Sequence, residues 1–569
     1  MRECATAIPE FVVTAKRAAV VEAELEQLAP MAPVGEGLRR VAAIDLGTNS
    51  THLLIASVDP VLRSFSVLLA EKSTTRLGER DPENGELTAA AMDRARLALR
   101  HCRDLARSHG VEQTICVATS AMREAPNGLS FLAELRQELG LEVEVISGTE
   151  EARLIYLGVL SGMEFGDRPH LILDIGGGST ELILADAREA RALTSARVGA
   201  VRLQRDFVRR EPLARDRVAF LRAFIQGSLE PSVEKVQQRL RQGDEPLMVA
   251  TSGTAMAAAA LLAALNPRPS PRLHGSVVTR LDLDGLVERV LPLTPQQRRG
   301  LPGINERRSE ILVPGLLVLQ TAMELLGASE FVISERALRE GLIVDWMLRH
   351  DLIVDRFAYQ SDIRRRTVLH QARKFGVDIP RAERIAGHAV ALFDQTKQCF
   401  PPAPPEARQL LWAAGLLHNC GLHINTSGYH KHSWYLIQHG ELLGYSQSEQ
   451  LVIAALARYH RRSLPKKRHE SWLLLDRDQR RLVENLSLLL RLAVAMDRRP
   501  EASIASFEAH FELKNLQLNL VPLDPKDDLS LELWSLDSCA KAFQDACGIS
   551  LGCGLAKALD SSQGQPLAV

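Results

Sequence analysis

Three things are scarce in this 569-residue sequence: aromatic residues, surplus charge of either sign, and paired cysteines. Aromatic residues make up only 5% of it, which argues against the stacking platforms that bind single-stranded nucleic acid. Lysine and arginine number 69 against 70 aspartate and glutamate, for a net charge of −1. Bulk charge therefore attracts neither nucleic acid nor a membrane. We expect no specific nucleic acid partner, and any anion site must be a local patch.

Long apolar runs are also missing. No uninterrupted run reaches the ~18 residues that a membrane-spanning helix needs, and the N-terminus has no apolar core, which makes it a poor secretory signal. The eight cysteines are scattered without a CxxC pair, which excludes a dense disulfide framework. We therefore expect a reduced, cytoplasmic protein outside the membrane, with about four domains at ~150 residues each.

The chain changes pattern along its length. Residues 1–38 show no strand pattern and are predicted to be an N-terminal extension. Residues 39–348 alternate short β-branched runs with helical stretches, which indicates an α/β fold. Residues 349–500 carry apolar positions at three-to-four spacing, which predicts a helical domain. In residues 501–569, SFEAHFELKNLQLNLVP and LSLELWSLD alternate with period two around a predicted helix, LDSCAKAFQDACG, so we expect a small α+β domain.

The α/β region repeats itself. DLGTNSTHLLIA, beginning at Asp45, and DIGGGSTELILA, beginning at Asp174, match at Asp, Gly, Ser, Thr, Leu and Ala, 129 residues apart. The tetrapeptide Val-Ala-Thr-Ser also occurs twice, 132 residues apart. Either match alone could be coincidence in a Gly/Ala-rich chain. Two repeated segments with nearly the same spacing indicate two homologous lobes, 39–163 and 164–348, with a cleft between them.

Each repeat places a small-residue turn between two apolar strands. The backbone N–H groups and hydroxyls of such a turn can converge on an oxyanion. The glycines lead into a strand and not into a helix, and GxxxxGK[ST] is absent, so Rossmann and P-loop sites are excluded. The predicted phosphate-binding residues of the turns are Gly47, Thr48, Asn49 and Ser50 in the first lobe, and Gly176, Gly177, Gly178 and Ser179 in the second.

An aspartate opens each turn. Asp45 and Asp174 would repel a bare phosphate, so they are better suited to holding Mg²⁺ or orienting water. Glu181 follows the second turn at the place where the first repeat has His52. Because the repeats are otherwise similar, this difference predicts a specialised role for Glu181, on Mg²⁺ or on the attacking water. The predicted metal ligands are Asp45, Asp174 and Glu181.

DLGTNS, DIGGGSTE and the Thr-Ser-Gly-Thr at 251–254 resemble the phosphate-handling loops of the actin/Hsp70/sugar-kinase superfamily. Within it, ATSAMREAPNG (118–128), ISGTEEARLIYLGV (146–159) and ISERALREGLI (333–343) resemble the exopolyphosphatase/guanosine-pentaphosphate phosphatase family. The resemblance continues into the helical region, which is similar to that family's HD-like domain. Together with the patterns above, it implies an α/β fold class. The expected arrangement is a two-lobed ribonuclease-H-like (actin-like) domain followed by an all-α HD-like domain and a small α+β C-terminal unit.

The resemblance also implies that one of two adjacent glutamates activates water. Glu150 and Glu151 follow a Ser-Gly-Thr turn that looks like a helix start, where an acidic pair is often only a favourable N-terminal charge. A carboxylate base acts by holding water within hydrogen-bond reach. We predict Glu151 as the base, ahead of Glu150.

Further contacts are predicted after the strand TICVATS, at a carboxyl end where α/β folds place ligands. Arg123 is suited to clamping a phosphate through two hydrogen bonds, and Glu124 would pair with Arg123 or touch the metal as a third catalytic acid. The remaining predicted phosphate-binding residues are Arg76, Thr119, Ser120 and Gly253.

The helical region is rich in histidine. At the position of the His-Asp dyad of HD domains it has His418 and Asn419. An uncharged amide is a weak divalent-metal ligand, so we predict an HD-like fold without a working metal site, with Asp497 as the remaining distant acid. The histidines are then expected to be satisfied core and interface residues. An alternative is that residues 430–432 and the cations of 458–468 form a basic wall for a polyanion.

The predicted activity is Mg²⁺-dependent exopolyphosphatase: water attacks in line and releases terminal phosphates from inorganic polyphosphate. The 5′-phosphate of guanosine pentaphosphate is the second predicted substrate, with guanosine tetraphosphate as a related ligand and a cytoplasmic homodimer as the expected assembly. Four alternatives stay open: a guanosine pentaphosphate phosphatase as the main activity, a sugar or acid kinase, a non-catalytic polyphosphate or alarmone sensor, and an HD phosphohydrolase acting through the helical region.

Overall fold

The computed structural model describes residues 37–265, 272–302, 304, 306–354, 359 and 362–556. The predicted N-terminal extension lies outside the described residues except for its last two. The domain boundaries given above remain predictions.

The first sheet contains the first of the two sequence repeats. Its strands run in the order β3-β2-β1-β4-β5. β1, β4 and β5 pair in parallel, and β2 pairs antiparallel with both of its neighbours, β1 and β3. The strands are β1 (Arg39–Leu46), β2 (Thr51–Asp59), β3 (Ser64–Ser73), β4 (Gln113–Ala118) and β5 (Val143–Val145). The helices are α1 (Ala89–Ser108), α2 (Ser120–Arg123), α3 (Gly128–Leu139) and α4 (Gly148–Leu160).

The second sheet has the order β10-β11-β9-β6-β7-β8. Its strands are β6 (His170–Ile175), β7 (Thr180–Ala185), β8 (Ala190–Ala196), β9 (Leu247–Thr251), β10 (Val277–Thr279) and β11 (Glu330–Ile333). Its helices are α5 (Ala200–Phe207), α6 (Arg215–Gln237), α7 (Ser252–Leu265), α8 (Arg280–Val290), α9 (Pro295–Arg299), α10 (Glu306–Leu326) and α11 (Leu338–Arg349).

The two sheets share one strand order, since β3-β2-β1-β4-β5 corresponds to β8-β7-β6-β9-β11. The register agrees as well: Asp45 pairs with His52 across the first hairpin, and Asp174 pairs with Glu181 across the second. All residues of β6 and β7 are buried, as expected for strands covered on both faces. The short β-branched runs of residues 39–348 form strands, namely β1, β2, β4, β5, β6, β7, β9 and β11. The strands β3, β8 and β10 were not predicted from the sequence.

One helix is unusually apolar. Within α10, the window Arg308–Leu326 is long and apolar enough to cross a membrane by length and composition, and 72% of it is buried inside the molecule. Its side chains form part of the core beneath the second sheet. Core packing therefore accounts for its apolar composition.

Residues 363–496 are mostly helical, as their three-to-four apolar spacing predicts. The helices of this region are α12 (Ile363–Lys374), α13 (Ile379–Gln395), α14 (Ala407–Leu417), α15 (Tyr429–His439), α16 (Gln447–Tyr459), α17 (Glu470–Leu473) and α18 (Arg477–Met496). Two short 3₁₀ turns interrupt them, Lys397–Cys399 and Cys420–His423. Apolar side chains from these helices merge with those of the last unit in one core.

The last unit is a three-stranded sheet packed on one helix. Its elements are β12 (Ile504–Glu512), β13 (Asn515–Pro522), α19 (Ser530–Cys547) and β14 (Ser550–Leu555). The strand-like segment LSLELWSLD is instead the start of α19, so that prediction is wrong. Leu529 and Leu536 are fully buried, whereas Leu531 and Trp534 are 42% and 65% exposed. This is the burial pattern of a helix, whereas the period of two that Leu529, Leu531 and Leu533 follow in the sequence stops before Leu536.

Candidate active site

The two sequence repeats meet at one cavity of about 640 Å³ between the sheets. Both hairpin turns lie in its wall, together with the segment that follows β4 and the N-terminal half of α4. The predicted residues that line the cavity are Asp45, Gly47, Thr48, Asn49, Ser50, Thr119, Ser120, Glu151, Asp174, Gly176, Gly177, Gly178, Ser179 and Gly253.

The two turns have the same internal hydrogen bond. The N–H of Gly47 donates to the carbonyl of Ser50 at 3.1 Å, and that of Gly176 donates to the carbonyl of Ser179 at 2.9 Å. Equivalent bonds at equivalent positions fix both turns in one shape, so the sequence repeat is also a repeat of local structure.

The turns of the two lobes also touch each other. A Cβ on Gly177 would lie 3.0 Å from the Cβ of Thr48, and a Cβ on Gly178 would lie 2.5 Å from the Oγ of Ser120. Only glycine permits this approach. The contact brings the N–H groups and hydroxyls of both turns to one place, where they can bind adjacent phosphate oxygens.

Four acidic side chains gather behind the turns. Glu181 is 1% exposed, Asp174 and Glu151 are each 8% exposed, and Asp45 lies beside them. Burial, followed by the charge of Glu151, raises the pKa of Asp174 to about 7. Burial, followed by the charge of Asp174, raises the pKa of Glu181 to about 8. Burial also raises the pKa of Asp45 to about 6 and, with the charge of Glu181, lifts the pKa of Glu151 well above its usual value.

This cluster fits a divalent cation. The Oδ1 atom of Asp45 is buried without a hydrogen-bond partner, and the acids repel one another until positive charge is supplied. Within the described part of the chain, no group of three or more His, Cys, Asp or Glu side chains is arranged to hold a metal ion by itself. Mg²⁺ suits such a site, because it is usually bound by one or two carboxylates and completes its shell with water and phosphate oxygens.

The adjacent glutamates face different surroundings. The Ser147 hydroxyl caps α4 by accepting from the N–H of Glu150 at 3.1 Å. The carboxylate of Glu150 lies outside the cavity wall and accepts two hydrogen bonds from Arg153, at 2.7 and 2.8 Å, which hold its pKa below the usual value. Glu151 lines the cavity and accepts from Arg123 Nη1 at 3.3 Å.

Arg123 and Glu124 are predicted site residues that do not line the cavity. Arg123 is held by the carbonyl of Ile146, at 2.6 Å. Glu124 does not pair with Arg123, as the sequence suggested, but with Arg202 of the second lobe, at 2.7 and 2.8 Å. Although burial acts to raise it, the hydrogen bonds and charge of Arg202 hold the pKa of Glu124 below its usual value. Glu124 therefore links the lobes.

Two other predicted residues also lie outside the lining. Arg76 pairs with Glu310 at 3.3 Å and with Glu79 at 3.7 Å, so it bridges from the first lobe to α10. Glu181 sits beneath the surface, where it accepts a hydrogen bond from Ser195 at 2.7 Å.

Sequence reasoning missed three cationic side chains that line the cavity. Lys72, Arg308 and Arg339 line the cavity together with His52. Burial, and then the charges of Arg339, Lys72 and Arg308, lower the pKa of His52 to about 3, which keeps that histidine neutral. Arg339 lies inside the motif ISERALREGLI, which was the available signal. Lys72 and Arg308 come from segments with no distinguishing pattern.

At the HD-like position, His418 and Asp497 are bonded to protein groups and not arranged around a metal site. Burial lowers the pKa of His418 to about 4, and its Nδ1 bonds to the carbonyl of Gly415 at 2.7 Å. The carboxylate of Asp497 accepts hydrogen bonds from the guanidinium groups of Arg381 and Arg384, at 2.9 and 3.0 Å. His430, proposed for a basic wall, is 3% exposed. Burial lowers its pKa to about 4, so it adds no charge at neutral pH.

The sequence matches the model of the Ppx/GppA phosphatase family over residues 54–350 and that of the family's domain III over residues 363–539. A guanosine-5′-triphosphate,3′-diphosphate pyrophosphatase of Vibrio vulnificus is 31% identical over 467 residues, which is 81% of this chain and 88% of the relative. An exopolyphosphatase from Cytophaga hutchinsonii is 27% identical with a TM-score of 0.51, covering 55% of this chain and 98% of its own. A Ppx/GppA family member from Aquifex aeolicus is 27% identical with a TM-score of 0.48, covering 55% and 99%.

Fold and site together define a hydrolase of phosphate bonds built on two actin-like lobes. The chain belongs to the Ppx/GppA phosphatase family. This confirms the resemblance read from the sequence, the α/β fold class with a helical C-terminal region, and the assignment as a hydrolase.

Proposed function

We propose that this enzyme releases terminal phosphates from inorganic polyphosphate, and that the 5′-phosphate of guanosine pentaphosphate is its second substrate, leaving guanosine tetraphosphate. The observation that carries the proposal is the cavity where two equivalent anion-binding turns meet four buried acids. A linear phosphoanhydride ends in oxygens that both turns can bind at once. The names of the V. vulnificus and C. hutchinsonii relatives support one substrate each.

Asp45 and Asp174, which line the cavity, are the residues that would hold Mg²⁺. Glu181, the third predicted ligand, lies beneath the cavity surface and would add negative charge beside them. When bound, Mg²⁺ neutralises phosphate charge and polarises the phosphorus–oxygen bonds. The N–H groups of the two turns orient the terminal phosphate, and the Ser50 and Ser179 hydroxyls lie at the ends of those turns as further donors. Phosphoryl transfer needs little else beyond positioning and charge neutralisation.

Glu151 would take a proton from the attacking water. Its carboxylate lines the cavity, and its raised pKa makes it a stronger base than an exposed glutamate. Arg123 donates to the same carboxylate and would orient it; its predicted role as a clamp for the adjacent phosphate stays part of the proposal. Lys72, Arg308 and Arg339 would bind phosphates of the chain that are not cleaved. Glu150, held by Arg153, is the less suitable base.

The test is phosphate release from polyphosphate and guanosine pentaphosphate in parallel, with and without Mg²⁺. We expect release that depends on Mg²⁺, a large loss in Glu151→Gln and little change in His418→Ala. Retained activity in Glu151→Gln together with loss in His418→Ala would move the chemistry to the helical region. Transfer of phosphate to a sugar or acid would indicate a kinase, and binding of polyphosphate without release would indicate a sensor.

We also propose that the protein is a cytoplasmic homodimer. The seven cysteines of the described region are all free thiols, which suits a reducing compartment. Light scattering on the purified chain gives the assembly state directly. A mass near 125 kDa, about twice the 62.7 kDa of one chain, supports the dimer, and a mass of one chain contradicts it.

A further inference from the structure

We infer that Arg336 is a positioning residue for the hydrolysis, because it ties the wall of the catalytic cavity both to the helix of Glu151 and to the helical region. The part of the test that measures activity rests on the proposed function. Arg336 lies between β11 and α11. Its neighbours Ser334, Glu335, Ala337 and Arg339 line the cavity, whereas Arg336 itself turns away from it.

The guanidinium of Arg336 joins three separate parts of the chain. Nη1 donates to the Ser161 hydroxyl at 3.1 Å, and Nη2 donates to Oε1 of Glu441 at 3.0 Å. Its central carbon lies 4.5 Å from the ring centre of Phe65. The residue is 5% exposed, and a buried guanidinium is tolerated only where its donors are satisfied. The position of Arg336 is therefore fixed from three directions.

One of these directions leads to the proposed base. Ser161 directly follows α4, the helix whose first turn contains Glu151. The segment around Arg336 also packs on α4 without side chains between them: a Cβ on Gly158 would lie 1.8 Å from the Ala337 carbonyl oxygen. Because the backbones are in contact, a shift of this segment must shift α4 with it.

A second tie holds the same segment. Nδ1 of His274 accepts from the N–H of Glu335 at 3.1 Å, and its Nε2 bonds to the carbonyl of Gly162 at 3.0 Å. Burial keeps His274 neutral by lowering its pKa to about 4. With Nδ1 accepting, Nε2 carries the proton and donates. The end of α4 and the cavity wall are thus linked twice, through Ser161 and through Gly162.

The contact of Arg336 with Glu441 leads to the helical region, where Glu441 is itself held in place. Its backbone carbonyl accepts from the Thr367 hydroxyl at 3.0 Å and from the Gln371 amide at 3.1 Å, both on α12. The pair Arg336–Glu441 therefore transmits the position of α12 to the cavity wall. On this reasoning the helical region contributes to catalysis without supplying a group that touches substrate.

The test compares Arg336→Ala with Arg364→Ala. Arg364 is also a poorly exposed arginine at this junction, but it binds Glu449, the Gly444 carbonyl and Glu164, none of which belongs to the cavity wall. Arg336→Ala should lower kcat about 10- to 100-fold, as expected for a misplacement of about 1 Å at a catalytic group. KM should change less than about threefold, because the two turns do not rely on Arg336. Arg364→Ala should leave kcat within about twofold.

Hydrogen exchange supplies a measurement that does not need activity. Arg336→Ala should speed amide exchange both in 334–339 and in the first turns of α4, and Arg364→Ala should not. Arg336→Lys keeps the charge facing Glu441 but cannot span Ser161 and Glu441 together, so an intermediate kcat is expected. If Arg336→Ala fails to fold, Arg336→Lys and Glu441→Gln replace it. Equal loss of kcat in the Arg336 and Arg364 variants, or unchanged exchange in α4, would overturn the inference. An inactive wild-type enzyme with the expected exchange pattern would instead reject the proposed function.

Discussion

The acid cluster makes an unusual prediction for Asp174→Asn: in metal-free protein this variant is more stable than the wild type at pH 8. The substitution keeps the size of the side chain and removes its charge. Burial, followed by the charge of Glu151, raises the pKa of Asp174 from 3.8 to about 7. Such a carboxyl is harder to ionise in the folded chain than in the unfolded chain, so ionisation favours unfolding.

The pKa difference sets the size and the pH range of the effect. Below about pH 4 Asp174 is neutral in the folded protein, and the penalty is absent. As the pH rises from about 4 to about 7 the unfolded chain releases a proton that the folded chain retains, so stability falls. The full difference corresponds to at most ~4 kcal/mol at 1.36 kcal/mol for each tenfold change in proton affinity. The advantage of Asp174→Asn should therefore grow from near zero at pH 4 to this limit at pH 8.

Urea denaturation in EDTA at several pH values measures the effect, and Asp186→Asn is the control. Asp186 lies just after β7, outside the cavity, and accepts hydrogen bonds from the N–H groups of Arg188 and Glu189 and from Arg191. Although burial acts to raise it, these bonds hold the pKa of Asp186 below its usual value, so Asp186→Asn should lose stability at pH 8. Adding Mg²⁺ should stabilise the wild type more than Asp174→Asn. A pH dependence in EDTA that is the same for Asp174→Asn and the wild type would refute the reasoning.

Other outcomes follow from the same site. Glu151→Gln should lower kcat by about 10²- to 10⁴-fold, the usual contribution of a general base, while Glu150→Gln stays within about threefold; phosphate release at saturating polyphosphate decides between them. Gly178→Ala should raise KM and lower kcat, because its Cβ would lie 2.5 Å from the Ser120 hydroxyl oxygen. Gly227→Ala is its control: it sits on α6 with open space around it and should gain ~0.5–1 kcal/mol of stability, seen as a higher thermal midpoint with unchanged kinetics. Equal kinetic losses in both glycine variants would contradict the close contact of the turns.

Features formed by residues close together in the chain could be predicted from the sequence. Each hairpin turn lies within eight consecutive residues, so its strands, its glycines and its aspartate stand together in the sequence, and the repeat showed itself as two matching strings. Helices between 363 and 496 were equally local, since apolar spacing alone indicates them. The segment Leu529–Leu536 shows the limit of such local patterns. Leu529, Leu531 and Leu533 fit a period of two, but Leu529 and Leu536 pack into the core as neighbours on one face of a helix.

Residues that are neighbours in the chain already define the available chemistry: two oxyanion turns, their aspartates and the acidic pair. The motifs around them also carry the family resemblance. The tertiary structure decided which groups meet. Glu150 and Glu151 are neighbours in the chain, but successive residues of a helix point about 100° apart, so one binds Arg153 and the other lines the cavity. Glu124 pairs with Arg202, which lies 78 positions further along the chain. Such a pair depends on how two lobes pack, which no local pattern records.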